Sequence, residues 1–215
     1  MKRLIQALLL PLVLCTALTS CSGSDDEPLG SYRRDIVTIS TDETGLITTL
    51  TQDNGTAYEL TNKLQGYIAS QSYRVLAYYL PTPDGEATLG RFSEVLTFPP
   101  RAYSELTIRT DPVEVVSLWR SSHYINMHLS LMASTGRHIY GGIEQGLTTH
   151  PDGTKSLRVV LFHDSNDDPK NYPRTLYLSC DISGYSTALT PGRDTITLAI
   201  REQTDSIFTD YKFVY

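Results

Sequence analysis

Apolar and polar residues alternate along much of the chain, which is the pattern of half-buried β-strands. Over 125–131 every second residue is apolar, and the residues between them are Asn, His and Ser. The same alternation returns over 157–161 and 196–200. Beyond the first 20 residues, no long stretch has the 3.6-residue apolar period of an amphipathic helix. The pattern predicts an all-β fold.

The first half of the chain contains turn pairs that favour tight hairpins. Asn54-Gly55 and Asp84-Gly85 supply the positive backbone angles that such turns need. We expect five strands here, with an irregular stretch over 62–71 after the third, at 35–40, 46–51, 56–60, 73–80 and 87–96. Five short strands in this order predict a small Greek-key barrel of the OB type, and an open meander is the alternative.

The second half alternates more cleanly and predicts a β-sandwich. We expect seven strands, at 113–119, 124–131, 137–143, 157–161, 175–182, 196–200 and 211–215. The stretch FPPRAYSE (98–105) and the pair Asp111-Pro112 interrupt the strand pattern between the two halves. Proline cannot donate to a sheet ladder, so we expect a barrel domain over 32–110 and a sandwich domain over 111–215.

The chain begins with a secretory signal. Lys2 and Arg3 precede an apolar run that is shorter than a membrane span, so residues 1–20 are expected to be removed. The segment LTSC that ends at Cys21 resembles a bacterial lipobox, which predicts acylation of Cys21; the alternative is an ordinary signal peptide and a free thiol. Residues 21–31 are polar and acidic and read as a flexible tether to the membrane.

Charge and cysteine content exclude several classes of protein. Removal of Lys2 and Arg3 leaves 16 basic against 24 acidic residues, a net charge near −8, and no basic stripe for nucleic acid. Loss of Cys15 and acylation of Cys21 would leave Cys180 alone, so no disulfide is expected. Cys180 shares its parity with apolar neighbours, which predicts a buried strand position.

The segment FHDSNDDPKNYPR (162–174) is the stretch that most resembles a chemical site. Asp164, Asn166 and Asp168 match the start of an EF-hand calcium loop. The match then fails, because Pro169 stands where the loop needs Gly and Thr175 where it needs Glu. We therefore expect a hairpin tip, with calcium as the weaker alternative, and no cofactor.

No sequence motif marks an active site. The chain lacks H-E-x-x-H, G-x-S-x-G, a P-loop and G-x-G-x-x-G, so we expect no enzyme, although spatially paired carboxylates of a glycosidase need no motif. The 14 tyrosines are compatible with a sugar-binding surface, but Tyr is also common in half-buried strands. Trp119 follows the apolar run VEVVSL and is expected to anchor the core, with a ligand platform as the alternative.

Several segments together resemble the NigD-like family of Bacteroidetes lipoproteins. They are LTSC, YRVLAYYL, DPVEVVSLWRSSHYINMHLSL, VVLFHDSNDDPKNYPRTLYLSCDIS and TITLAIREQTDSIFTDYKFVY. Asp164 follows His163 at a position where the family often has Asn. The resemblance implies an OB-like domain followed by a β-sandwich, and an association with bacteriocin immunity, but no catalytic residue.

The combined expectation is a lipid-anchored outer-membrane protein whose domain faces either the periplasm or the outside. The cluster Asp25-Asp26-Glu27 resembles an export signal for surface lipoproteins, although a solvated linker has the same composition. The expected role of the protein is that of a non-enzymatic binding module for an envelope protein, with a glycan partner as the alternative. An enzyme that acts on glycans is the third hypothesis.

Overall fold

The computed structural model describes residues 31–102, 108–203 and 207–215. The predicted signal (1–20), Cys21 and the tether up to residue 30 lie outside these described residues. Strands dominate the described chain, and the helical element among them is a short 3-10 turn at Ser183–Tyr185. No helix in these ranges has the length and apolar character needed to cross a membrane.

The first domain is a closed five-stranded barrel with the order β1-β2-β3-β5-β4. This order is that of an OB-type barrel and confirms the expectation. Its strands are β1 (Arg33–Thr41), β2 (Ile47–Thr51), β3 (Ala57–Leu64), β4 (Ser72–Pro81) and β5 (Glu86–Glu94). Gly55 and Gly85 adopt positive φ in the predicted turns.

Apolar side chains of alternating parity fill the barrel. From β4, Val75, Ala77 and Tyr79 point inward and are buried. The opposite face of β4 is covered as well, since Arg74 is 7% exposed and lies against the second domain. The remaining core positions come from the other four strands: Val37, Ile39, Ile47, Leu50, Leu60, Ala87 and Leu89.

The second domain is a sandwich of two sheets. One sheet has the order β14-β13-β11-β10-β7 and the other β6-β12-β9-β8. These strands are β6 (Leu96–Phe98), β7 (Pro100–Ala102), β8 (Glu114–Ser121), β9 (Tyr124–Ala133), β10 (Ile139–Thr149), β11 (Lys155–Asp164), β12 (Tyr172–Asp181), β13 (Thr195–Arg201) and β14 (Phe208–Val214).

The described sandwich has nine strands where the sequence predicts seven. The two additional strands, β6 and β7, have three residues each and pair in parallel with β12 and β10. They lie in the proline-rich stretch that the sequence suggests as a break, and strands this short carry no visible alternation. Because residues 96–102 belong to the sandwich sheets, the change of domain falls just after β5 and not near residue 110.

The inner faces of both sheets form one apolar core, as the alternation predicts. Ile125, Met127 and Leu129 of β9 are fully buried, and Leu131 is 3% exposed. Cys180 lies among them, is fully buried, and is confirmed as an inner-face residue. Burial raises the pKa of its thiol to about 12. A thiol in that state is a packing group and not a nucleophile.

Candidate functional site

A cleft of about 510 Å³ lies between the barrel and the sandwich. The barrel contributes β1, part of β4 and the turn after β2, and the sandwich contributes the outer face of the sheet that contains β8, β9 and β12. The lining residues are mostly polar or aromatic: Arg34, Asp35, Ile36, Val37, Gln52, Asp53, Asn54, Leu76, Ser117, Trp119, Ser121, His128 and Tyr177.

Trp119 lines this cleft, so the prediction that it anchors the core is wrong. The strand β8 contains a bulge between Val115 and Ser117 in its pairing with β9. The extra residue shifts the parity of the strand, so Leu118 turns toward the core and Trp119 turns away from it. The bulge therefore places the indole ring on the face that meets the barrel.

Aromatic and basic groups form one wall of the cleft. His128 and Tyr177 are cross-strand partners whose rings stack with centroids 4.3 Å apart and planes 7° apart. From the barrel, Arg34 Nη2 donates to the Tyr177 hydroxyl at 2.8 Å. Burial, together with the charge of Arg34, lowers the pKa of His128, so this imidazole is mainly neutral at neutral pH.

The two domains are joined beside the cleft by the guanidinium of Arg74. Its side chain is 4% exposed and forms a bidentate ion pair with Asp53 of the barrel at 2.5 and 2.7 Å. The same group donates to Asn126 Oδ1 at 3.1 Å and to Ser179 Oγ at 3.4 Å in the sandwich. Tyr124 adds a cation-π contact at 3.7 Å. Arg74 therefore fixes the orientation of one cleft wall against the other.

The segment 162–174 is not a hairpin tip, which corrects the sequence prediction. It leaves β11 in one sheet and enters β12 in the other, and β11 pairs with β10 and β13. Asn166 and Asp167 both adopt positive φ in the turn. Turn-forming residues mark a reversal of direction, but they do not show whether the chain returns to the same sheet.

The two aspartates among the candidate calcium ligands accept hydrogen bonds from different parts of the backbone. Asp164 Oδ1 accepts a hydrogen bond from the backbone N–H of Asn166 at 2.8 Å. The carboxylate of Asp168 accepts from the backbone N–H groups of Ser134 and Gly136 in the loop between β9 and β10. Among the described residues, no group of three or more His, Cys, Asp or Glu is arranged to hold a metal ion.

A buried chain of hydrogen bonds continues from Asp168 through two histidines. His138 Nε2 lies 3.2 Å from Asp168 Oδ2, and His138 Nδ1 lies 3.0 Å from His163 Nε2. His163 Nδ1 lies 2.8 Å from the backbone oxygen of Asp111, which can only accept. Because that oxygen can only accept, His163 Nδ1 carries the proton of this hydrogen bond. The chain links Asp168 to Asp111 through both imidazoles.

Sequence analysis does not pair these two histidines. His138 and His163 come together because β10 pairs with β11, with Tyr140 opposite His163. A register counted from the Asp152-Gly153 turn would misplace them, because a bulge between Glu144 and Leu147 shifts the pairing. In the amino-acid sequence, the only trace of this bulge is Gly146, which adopts positive φ in the structure.

Replacing Asp168 with Asn is expected to make stability less dependent on pH. The backbone N–H of Ser134 donates a hydrogen bond to Asp168 and lowers the pKa of this carboxyl group. The hydrogen bonds with the Gly136 N–H and with His138 lower the pKa further. A carboxyl group with a lowered pKa stabilises the fold above about pH 4 and loses this contribution as the pH falls through its folded pKa. We expect Asp168→Asn to lower the urea midpoint at neutral pH, with the difference from wild type shrinking below about pH 4.

The matched control is Asp84→Asn, which changes a carboxyl group in an exposed hairpin turn. Burial also lowers the pKa of His163, so wild type and both variants lose stability as the pH falls below about 6.5. Each aspartate variant is therefore compared with wild type at the same pH over the whole range, because Asp168→Asn also changes the surroundings of His138. If the Asp168→Asn curve ran parallel to wild type from neutral pH to pH 3, the assigned role of the carboxylate would be wrong.

Solved structures share this two-domain architecture. A NigD-like immunity protein from Bacteroides caccae is 25% identical, with a TM-score of 0.68 over 85% of this chain and 96% of that one. A protein of unknown function from Bacteroides vulgatus is 16% identical, with a TM-score of 0.67 over 86% and 91%. A Bacteroides fragilis protein provisionally described as a lipoprotein is 13% identical, with a TM-score of 0.60 over 85% and 96%.

No curated protein matches the chain. The family model for the NigD-like C-terminal beta sandwich domain matches residues 96–215. Its first residue coincides with the start of β6, where the sandwich begins. The match covers more than half of the sequence and agrees with the resemblance of the strand segments, so the chain belongs to the NigD-like family.

Proposed function

We propose that the protein is a lipid-anchored, non-enzymatic binding module of the cell envelope, and that the cleft between its domains is the ligand site. The observation that carries the proposal is the composition of this cleft. Two domains contribute polar and aromatic side chains to a space of about 510 Å³. Small-molecule sites have volumes of about 300–1,000 Å³ and combine aromatic walls with a few placed polar groups.

The state of the cleft carboxylates supports binding over catalysis. Asp35 accepts a hydrogen bond from the buried Tyr79 hydroxyl at 2.9 Å, and Asp53 is paired with Arg74. Both carboxylates therefore have partners within the protein. Catalytic pairs in glycosidases instead face the substrate from the two sides of the scissile bond. Because these two carboxylates are held by partners, we assign them to positioning the walls of the cleft.

The anchor is proposed from the N-terminal sequence, in which LTSC precedes an acidic, polar tether. The provisional description of the B. fragilis protein as a lipoprotein agrees with this assignment. We expect mass spectrometry of the native protein to find Cys21 as an acylated N-terminal residue. We also expect Cys21→Ser to release the protein from the membrane fraction. An unmodified Cys21 in the native protein would remove the anchor from the proposal.

Affinity capture from intact cells tests the binding role. The tethered protein is captured with its bound partners, and a Trp119→Ala variant, with the same fold and a changed cleft, is the matched control. We expect the wild type to retain a partner that the variant loses. Equal recovery from both would show that the cleft is not the site.

A role in bacteriocin immunity is a second candidate, favoured by the description of the B. caccae protein as an immunity protein. Cells that lack the gene are challenged with bacteriocins of related strains. We expect increased sensitivity, restored by the wild-type gene and not by the Trp119→Ala variant. Unchanged sensitivity would remove this candidate and leave the binding role in place.

A further inference from the structure

We infer that the cleft binds a neutral oligosaccharide, with Trp119 as the surface on which a sugar ring stacks. The inference rests on the proposed function, since it assigns a ligand class to the same site. It follows from three properties of the lining: its charges balance to no net charge, its remaining polar groups are neutral, and an aromatic ring faces the space.

The charged side chains of the cleft balance one another or are paired within the protein. Asp53 is held by the two Nη atoms of Arg74, and Asp35 accepts from Tyr79. Arg34 donates to the Tyr177 hydroxyl and lies over the Tyr177 ring at 5.2 Å. Arg34 and Asp35 carry opposite charges, and Asp53 is neutralised by Arg74, so the lining has no excess charge of either sign. A ligand without net charge fits this balance.

Other polar side chains of the cleft can each donate and accept a hydrogen bond. They are the hydroxyls of Ser117 and Ser121, the amide of Asn54 and the imidazole of His128, whose pKa is lowered by burial. A sugar hydroxyl also donates and accepts, so it can bond to any of these groups. A wall of neutral groups with both capacities therefore fits a polyhydroxylated ligand.

The apolar part of the cleft fits the other side of a sugar. A pyranose ring has a face of C–H bonds and a rim of hydroxyls, and its C–H face packs on an aromatic ring. Trp119 is half-buried and lines the cleft beside Leu76 and Ile36. An indole offers a large flat area that is already rigid, so little conformational freedom is lost on binding.

Trp119 also provides the signal for the test, because it is the single tryptophan of the chain. Residues 21–215 carrying Cys21→Ser are titrated with short cello-, malto-, xylo-, manno- and chito-oligosaccharides, and with oligogalacturonates as charged probes. Indole fluorescence and calorimetry follow the binding. We expect a saturable change with at least one neutral series and none with the charged probes.

The variants separate this inference from the proposed function. By calorimetry, we expect Trp119→Ala to weaken binding at least about tenfold, as for a central aromatic contact. Phe208→Ala, which changes an aromatic residue of β14 in the opposite sheet, should leave the affinity unchanged. Circular dichroism confirms that both variants fold.

Three outcomes would overturn the inference. They are no binding of any neutral oligosaccharide, binding that Trp119→Ala does not weaken, and preference for the charged probes. If affinity capture still gave a partner that depends on Trp119, the cleft would remain the ligand site and only the sugar assignment would fall. If capture and titration both failed, the proposed function would fall with it.

Discussion

Replacing Arg74 with Met is expected to lower the free energy of unfolding by about 3–5 kcal/mol, the usual cost of removing one partner of a buried ion pair. The variant leaves the carboxylate of Asp53, whose side chain is 10% exposed, without its bidentate partner. It also removes the donor to Asn126 Oδ1 in the sandwich. Urea unfolding followed by circular dichroism measures the loss.

Two further variants decide the cause of that loss. Arg158→Met removes an ion pair with Asp210 whose side chains are 36% and 42% exposed, and it should cost only about 0–1 kcal/mol. The double variant Asp53→Asn with Arg74→Met should recover part of the stability, because no unpaired charge then stays buried. Equal losses in Arg74→Met and Arg158→Met would contradict the role assigned to Arg74.

Gly136→Ala is expected to cost about 1–3 kcal/mol through overpacking. A Cβ at residue 136 would lie 2.6 Å from Cγ and 2.7 Å from Cβ of Asp168. The carboxylate of Asp168 cannot move aside freely, because it is held by the N–H groups of Ser134 and Gly136 and by His138. The change therefore disturbs the hydrogen-bond chain that joins the two sheets. Thermal and urea unfolding of the variant measure the cost.

Gly184→Ala is the matched control for this substitution. A Cβ there would meet open space, and Gly184 lies in the short 3-10 turn. We expect its stability to stay within about 0.5 kcal/mol of wild type. A stable Gly136→Ala variant with an unchanged pH profile would mean that the loop between β9 and β10 can rearrange, and that Asp168 is less firmly held than its contacts indicate.

Local alternation was enough to predict the longer strands and, away from bulges, their faces. Each strand side chain points opposite to its neighbours, so the parity of Ile125, Met127 and Leu129 shows that they share a face. The same rule placed Cys180 on an inner face, where it is fully buried. The glycines of the predicted turns adopt positive φ, as at Gly55 and Gly85, because few other residues tolerate that conformation.

The same rule failed wherever one extra residue changed the parity. The bulge in β8 turned Trp119 from the core to the cleft, and the bulge in β10 set the register that joins His138 to His163. A bulge of this kind is stabilised by the partner strand and leaves little trace in the amino-acid pattern. The place of Trp119 in the cleft depended on the bulge in β8, so it could not be derived from the sequence.

The sequence by itself determined the class of fold and the positions of the longer strands, because these depend on neighbouring residues. Only the tertiary structure decided where the chain crosses between sheets, which short strands join the sandwich and which polar side chains become buried. Arg74 is an example, since its strand is predicted from alternation but its burial requires the second domain to cover the barrel. Such effects arise from pairings between distant segments, whose free energy is not contained in any one stretch of the chain.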